Sequence, residues 1–142
     1  TLFRSSHGST LSRIVHAQLA EMAQFHELSW QLYQEALYSD YRDIQGGTTA
    51  EGIHTGVMAA TIHVTLATYA GVDTRQNELS ICPNLPEHWQ ALAFQFIHQG
   101  VTYQFSLTQT SVTITADKDT QLLVQGALIP LTAERPKEVH YQ

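Results

Sequence analysis

Cysteine is nearly missing from this chain. The single thiol, Cys82, excludes an internal disulfide and a zinc site built on cysteines. Lysine is almost as scarce, with Lys118 and Lys137 alone, and thirteen acids against seven Lys and Arg leave a net charge of -6. A chain of that sign neutralises phosphates poorly, so nucleic acid is disfavoured as a partner. No apolar run approaches the roughly 20 residues that a membrane helix requires. The opening segment TLFRSSHGST also lacks the apolar stretch of a secretory signal. Together these absences predict a cytoplasmic chain with no membrane partner. The chain is still rich enough to fold: 43% of 142 residues are hydrophobic, which suits one ordinary domain or two small ones.

The chain opens on Thr1 rather than Met and enters a motif-like segment almost at once. That start predicts the tail of a longer protein or a processed chain. The first half reads as helical. Leu11, Ile14, Val15, Leu19 and Met22 recur at helical spacing, with Ser9 or Thr10 placed to cap the helix. A second helix is expected from about Gln24 to Tyr38, antiparallel to the first because so little chain joins them. The polar stretch DIQGGTTAEGIH follows, then a third helix from about Gly52 to Tyr69. That helix is apolar nearly all round, which predicts burial on most sides, with Gly71 as its C-terminal cap.

After Gly71 the period changes to two. Phe94, Phe96 and His98 alternate with polar or outward residues, as do Val101, Tyr103, Phe105 and Leu107, then Val112, Ile114 and Ala116, then Leu122 and Val124. Turn signals fall between them at Gln99-Gly100, Asp117-Lys118 and Gln125-Gly126. Short strands with regular turns predict an antiparallel sandwich or barrel. The resulting division is an α part over residues 1–72 and an antiparallel β domain over residues 73–142.

Two segments have the makings of a site. In SSHGSTLSRIVH, small hydroxyls and a glycine lead into a helix, where free N–H groups and the positive helix end favour an anion. On spacing alone, an ordinary helix cap is the simpler reading. In GGTTAEGIH, a second glycine-containing loop opens the third helix and carries Glu51, a candidate general base, and His54, a candidate donor to an anion or a sugar hydroxyl. The plain alternative is again a helix start, with Glu51 favouring the dipole. The other histidines show no ligand spacing, so no metal site is expected. Cys82 has no basic neighbour to activate it.

The stretches HGSTLSRIVHA, QGGTTAEGIHTGVMAAT and NLPEHWQALAFQF, in this order, resemble glycoside hydrolase family 65. The family contains inverting disaccharide phosphorylases of the maltose, trehalose and kojibiose types, and trehalase-like hydrolases. The resemblance covers nearly the whole chain, thins after about Thr108, and aligns it with the C-terminal end of a much longer polypeptide. It implies that residues 1–72 are the last helices of an (α/α)6-barrel catalytic domain, and residues 73–142 a small, sandwich-like C-terminal β-domain. It further implies that Ser9, Thr10 and His54 bind phosphate, and that Glu51 stands where a hydrolytic member holds its water. Thr55, Val57 and Ala60 depart from the residues frequent at those positions in the family.

The expected function is a contribution to a disaccharide phosphorylase or hydrolase, with no cofactor beyond inorganic phosphate as co-substrate. Its partners are then disaccharide and phosphate in the longer enzyme. The resemblance implies that the general acid lies in an upstream barrel segment missing from this chain, and that the isolated chain is inactive. Apolar helix faces left without partners predict a homo-oligomer or a poorly soluble chain. The rival readings are a non-catalytic accessory or carbohydrate-binding module, and a truncated remnant.

Overall fold

The computed structural model describes residues 10–42 and 52–141. The chain divides into two compact units, Thr1–Thr65 and Leu66–Gln142. The described residues of the first form three α-helices: α1 (Thr10–Met22), α2 (His26–Leu37) and α3 (Thr55–Val64). Each buries a stripe at helical spacing: Ile14, Ala17 and Ala20 on α1; Ser29, Tyr33 and Ala36 on α2; Val57, Thr61 and Val64 on α3. Ala17, Ala20, Ser29 and Ala36 are completely buried, and such small side chains let α1 and α2 approach closely. An ion pair from Arg13 Nε to Glu35 Oε2, at 3.5 Å, joins the same two helices.

The boundary between α1 and α2 differs from the sequence reading for a backbone reason. Gln24 adopts a left-handed φ of 62°. Its N–H donates to the Glu21 carbonyl at 2.9 Å, and the Phe25 N–H donates to the Ala20 carbonyl at 2.8 Å. This is a Schellman ending with glutamine where glycine is usual. Gln24 therefore closes α1, and α2 begins at His26 rather than Gln24.

The third helix also departs from expectation. Gly52 has φ +100°, so the α-helical segment starts only at Thr55. After Val64 the pitch widens to a π-turn, Thr65–Tyr69. The Thr65 hydroxyl donates to the Thr61 carbonyl at 2.9 Å, and the Thr61 hydroxyl donates to Met58 O at 2.7 Å. Hydroxyls that engage preceding carbonyls compete with the regular helical ladder. Nor is this helix buried on most sides: Ile62 is 64% exposed, opposite the buried stripe. On α1, Val15, Leu19 and Met22 form a second exposed apolar row at helical spacing.

The second unit holds eight strands: β1 (Val72–Asp73), β2 (Ser80–Ile81), β3 (Leu92–His98), β4 (Val101–Leu107), β5 (Ser111–Ala116), β6 (Thr120–Val124), β7 (Ala127–Leu131) and β8 (Lys137–His140). They form two four-stranded sheets, ordered β1-β2-β6-β7 and β3-β4-β5-β8. In the second sheet, Phe94 faces Phe105 and Phe105 faces Ile114. Tyr103, Phe105 and Leu107 are buried, while Gln104 and Ser106 between them are exposed. The expectation of purely antiparallel strands needs one correction. β2 pairs with β6 in parallel, Ser80 opposite Leu123 and Ile81 opposite Val124. The long connection through the other sheet permits that direction, which a tight hairpin would forbid.

Gly71 fixes the entry to this unit. Its φ is +68°, and a Cβ there would lie 1.9 Å from the Cys82 carbonyl oxygen. Its own carbonyl accepts the Cys82 N–H at 3.0 Å. Position 71 thus requires glycine for its conformation and for the closeness of the neighbouring backbone.

Candidate anion site at the start of the third helix

His54 is the N-cap residue of α3. Its carbonyl accepts the first helical bonds, from the N–H groups of Val57 at 2.9 Å and Met58 at 3.1 Å. Its side chain makes no capping bond and so is available for another task. The donor supply at this helix start is smaller than the sequence suggests, because the Thr55 N–H is already engaged by the Ile53 carbonyl at 3.0 Å.

The imidazole is held by Asp40, just beyond α2. One carboxylate oxygen, Oδ2, accepts the His54 backbone N–H at 2.8 Å, and the other, Oδ1, meets Nδ1 of the ring at 2.6 Å. Both side chains are mostly buried, 12% exposed for Asp40 and 22% for His54. The hydrogen bond from the His54 side chain, with a smaller contribution from its backbone N–H, holds the Asp40 carboxyl below its ordinary range. Asp40 is itself fixed locally. The Ser39 hydroxyl is buried and donates to the Ala36 carbonyl at 2.7 Å, and the Tyr41 and Arg42 N–H groups both bond to the Tyr38 carbonyl. Among the described residues, none hydrogen-bonds to Nε2 of His54.

Of the four candidate site residues read from the sequence, Ser9, Thr10, Glu51 and His54, His54 alone is described as a side chain. Thr10 is the first residue of α1, with only its backbone described, and Ser9 and Glu51 lie outside the described residues. Asp40 was not legible as a site residue. It stands fourteen positions from His54, and no spacing rule links a residue after one helix to the cap of the next. Among the described residues, no three His, Cys, Asp or Glu side chains are grouped to hold a metal ion. No helix among them is long and apolar enough to cross a membrane. Trp89 packs edge-on against Tyr69, with ring centroids 5.6 Å apart.

Comparison with known proteins places this chain in a family. Residues 2–63 match the Glycosyl hydrolase family 65 central catalytic domain, and residues 72–129 match the Glycosyl hydrolase family 65, C-terminal domain. Trehalose 6-phosphate phosphorylase of Lactococcus lactis subsp. lactis is 40% identical over 119 residues, 83% of this chain and 15% of that protein. Kojibiose phosphorylase of Escherichia coli K12 is 30% identical over 131 residues, 92% of this chain and 17% of that protein. A solved structure, "Putative kojibiose phosphorylase from human microbiome", superposes with a TM-score of 0.82 at 20% identity, over 96% of this chain and 20% of that one. The chain therefore spans about one sixth of the curated relatives named here. Two consecutive domains of one family matched in order, and relatives 40% and 30% identical over most of this chain, lead to one assignment: this chain belongs to glycoside hydrolase family 65.

Proposed function

We propose that this chain is the C-terminal part of an inverting α-glucoside phosphorylase and supplies the phosphate side of its active site. In that reading, α1 to α3 are the last helices of an (α/α)6 barrel, and Ser9, Thr10 and His54 hold inorganic phosphate. The observation that carries it is His54, tethered through Nδ1 at a helix start while Nε2 has no partner among the described residues. The names of the relatives support the choice of phosphorolysis over hydrolysis, since both curated relatives above are phosphorylases.

The chemistry asks little else of this segment. Inversion needs an acid on the leaving oxygen and a nucleophile on the opposite face of the sugar. Phosphate is that nucleophile, so the protein must hold it in line rather than deprotonate it. A helix start and an imidazole suit that task. The acid and the sugar pocket belong to other parts of the longer protein, and the isolated chain is expected to turn over no disaccharide.

The test is made in the longer protein. His54→Ala should raise KM for phosphate about 10- to 100-fold, the value of one hydrogen bond to a charged group, with KM for the disaccharide little changed. Glu51→Gln should leave phosphorolysis largely intact. Loss of turnover in Glu51→Gln, with water as the acceptor of the sugar, would replace this reading with hydrolysis and make Glu51 the base.

A further inference from the structure

A histidine that meets an anion must present the right nitrogen. An imidazole free in water prefers its proton on Nε2, so a tautomer with Nδ1–H needs an acceptor on that side. Asp40 supplies one at 2.6 Å and anchors it through the backbone N–H of the same residue at 2.8 Å. The two bonds occupy both carboxylate oxygens, so ring and cap are gripped as one unit. The grip sets the orientation of the ring as well as the place of its proton.

We propose that Asp40 is a positioning residue of the anion site, fixing His54 with its proton on Nδ1 and leaving Nε2 as the nitrogen that meets the phosphate. The inference rests on the phosphate role of His54 given above. It adds what that role requires of a residue that does not itself touch phosphate. One proton then lies between Nε2 and a phosphate oxygen, whether carried in by hydrogen phosphate or by the ring. A ring with Nδ1 free would divide its contacts between two nitrogens and lose the fixed line.

Isosteric replacement separates this role from bulk packing. The two bonds go to different carboxylate oxygens, and Asp40→Asn turns one of those positions into an NH2 donor, so in this geometry the amide cannot accept from the backbone N–H and Nδ1–H together. The readout is the nitrogen NMR signature of the His54 ring in the full chain, at a pH where the ring is neutral. The expected result is an Nδ1–H ring in the wild type and a shift toward Nε2–H in Asp40→Asn, with the remaining amide spectrum unchanged. A wild-type ring already in the Nε2–H form overturns the proposal without any variant, which covers the case in which Asp40→Asn fails to fold. An Nδ1–H ring that persists in Asp40→Asn overturns it too. In the longer protein, Asp40→Asn should raise KM for phosphate and spare KM for the disaccharide; equal loss of both overturns the positioning role. If the tautomer follows Asp40 but His54→Ala leaves KM for phosphate unchanged, the proposal fails with the phosphate reading. The tautomer result then assigns Asp40 only to holding the helix cap.

Discussion

Asp40 reports on its partner through its own titration. Because the His54 bonds depress its folded-state pKa, the stabilisation from this contact is complete above the ordinary carboxylate range and is lost as pH falls through the depressed value. The carboxyl carbon of Asp40, followed by NMR, should titrate below its ordinary range in the wild type and move upward in His54→Ala. Asp73 gives an internal comparison. Bonds from the Arg75 guanidinium and N–H hold it at about 2, so Arg75→Ala should raise Asp73 and leave Asp40 where it is. At this scale the sequence was informative about residue types and silent about partners. His54 stood out because a glycine-containing loop leads into its helix. Asp40 did not, because its role depends on how the turn after α2 returns toward α3.

Among the elements, four described residues other than glycine have positive φ, and three are glutamines: Gln24, Gln99 and Gln125. Gln99-Gly100 and Gln125-Gly126 are the two-residue turns of the β3–β4 and β6–β7 hairpins, where both central residues take positive φ. Both were legible from Gly and flanking alternation. The Gln24 ending was not, since nothing in its residue type announces a left-handed cap. Replacing Gln24 by Gly should stabilise the helical unit by up to about 1 kcal/mol, as the left-handed strain is relieved, read from a shift in denaturant midpoint with an unchanged slope. Gly71→Ala should do the reverse, costing roughly 3 kcal/mol or more, because the obstacle is the Cys82 backbone rather than a side chain that can turn aside. β7 and β8 were missed. Pro130 interrupts the strand signal of one, and charged Lys137 and Glu138 mask the other, though both strands pair in full register.

For the whole molecule, the change of hydrophobic period near Gly71 made the succession of helices and sheets readable. The parallel pairing of β2 with β6 was not, because pairing direction depends on the path between strands rather than on their composition. The apolar row Val15, Leu19 and Met22, from 51% to 72% exposed, is the largest departure from an ordinary surface on α1. Sedimentation of the pure chain at micromolar concentration should show association, and Leu19→Lys should shift it toward monomer without lowering helix content. Association through that row would change what a melting temperature means for this chain. When folding and association are linked, mass action enters the stability: each tenfold rise in concentration adds about 1.4 kcal/mol per dimer formed. The melting point should then climb with protein concentration, and in Leu19→Lys it should become independent of it.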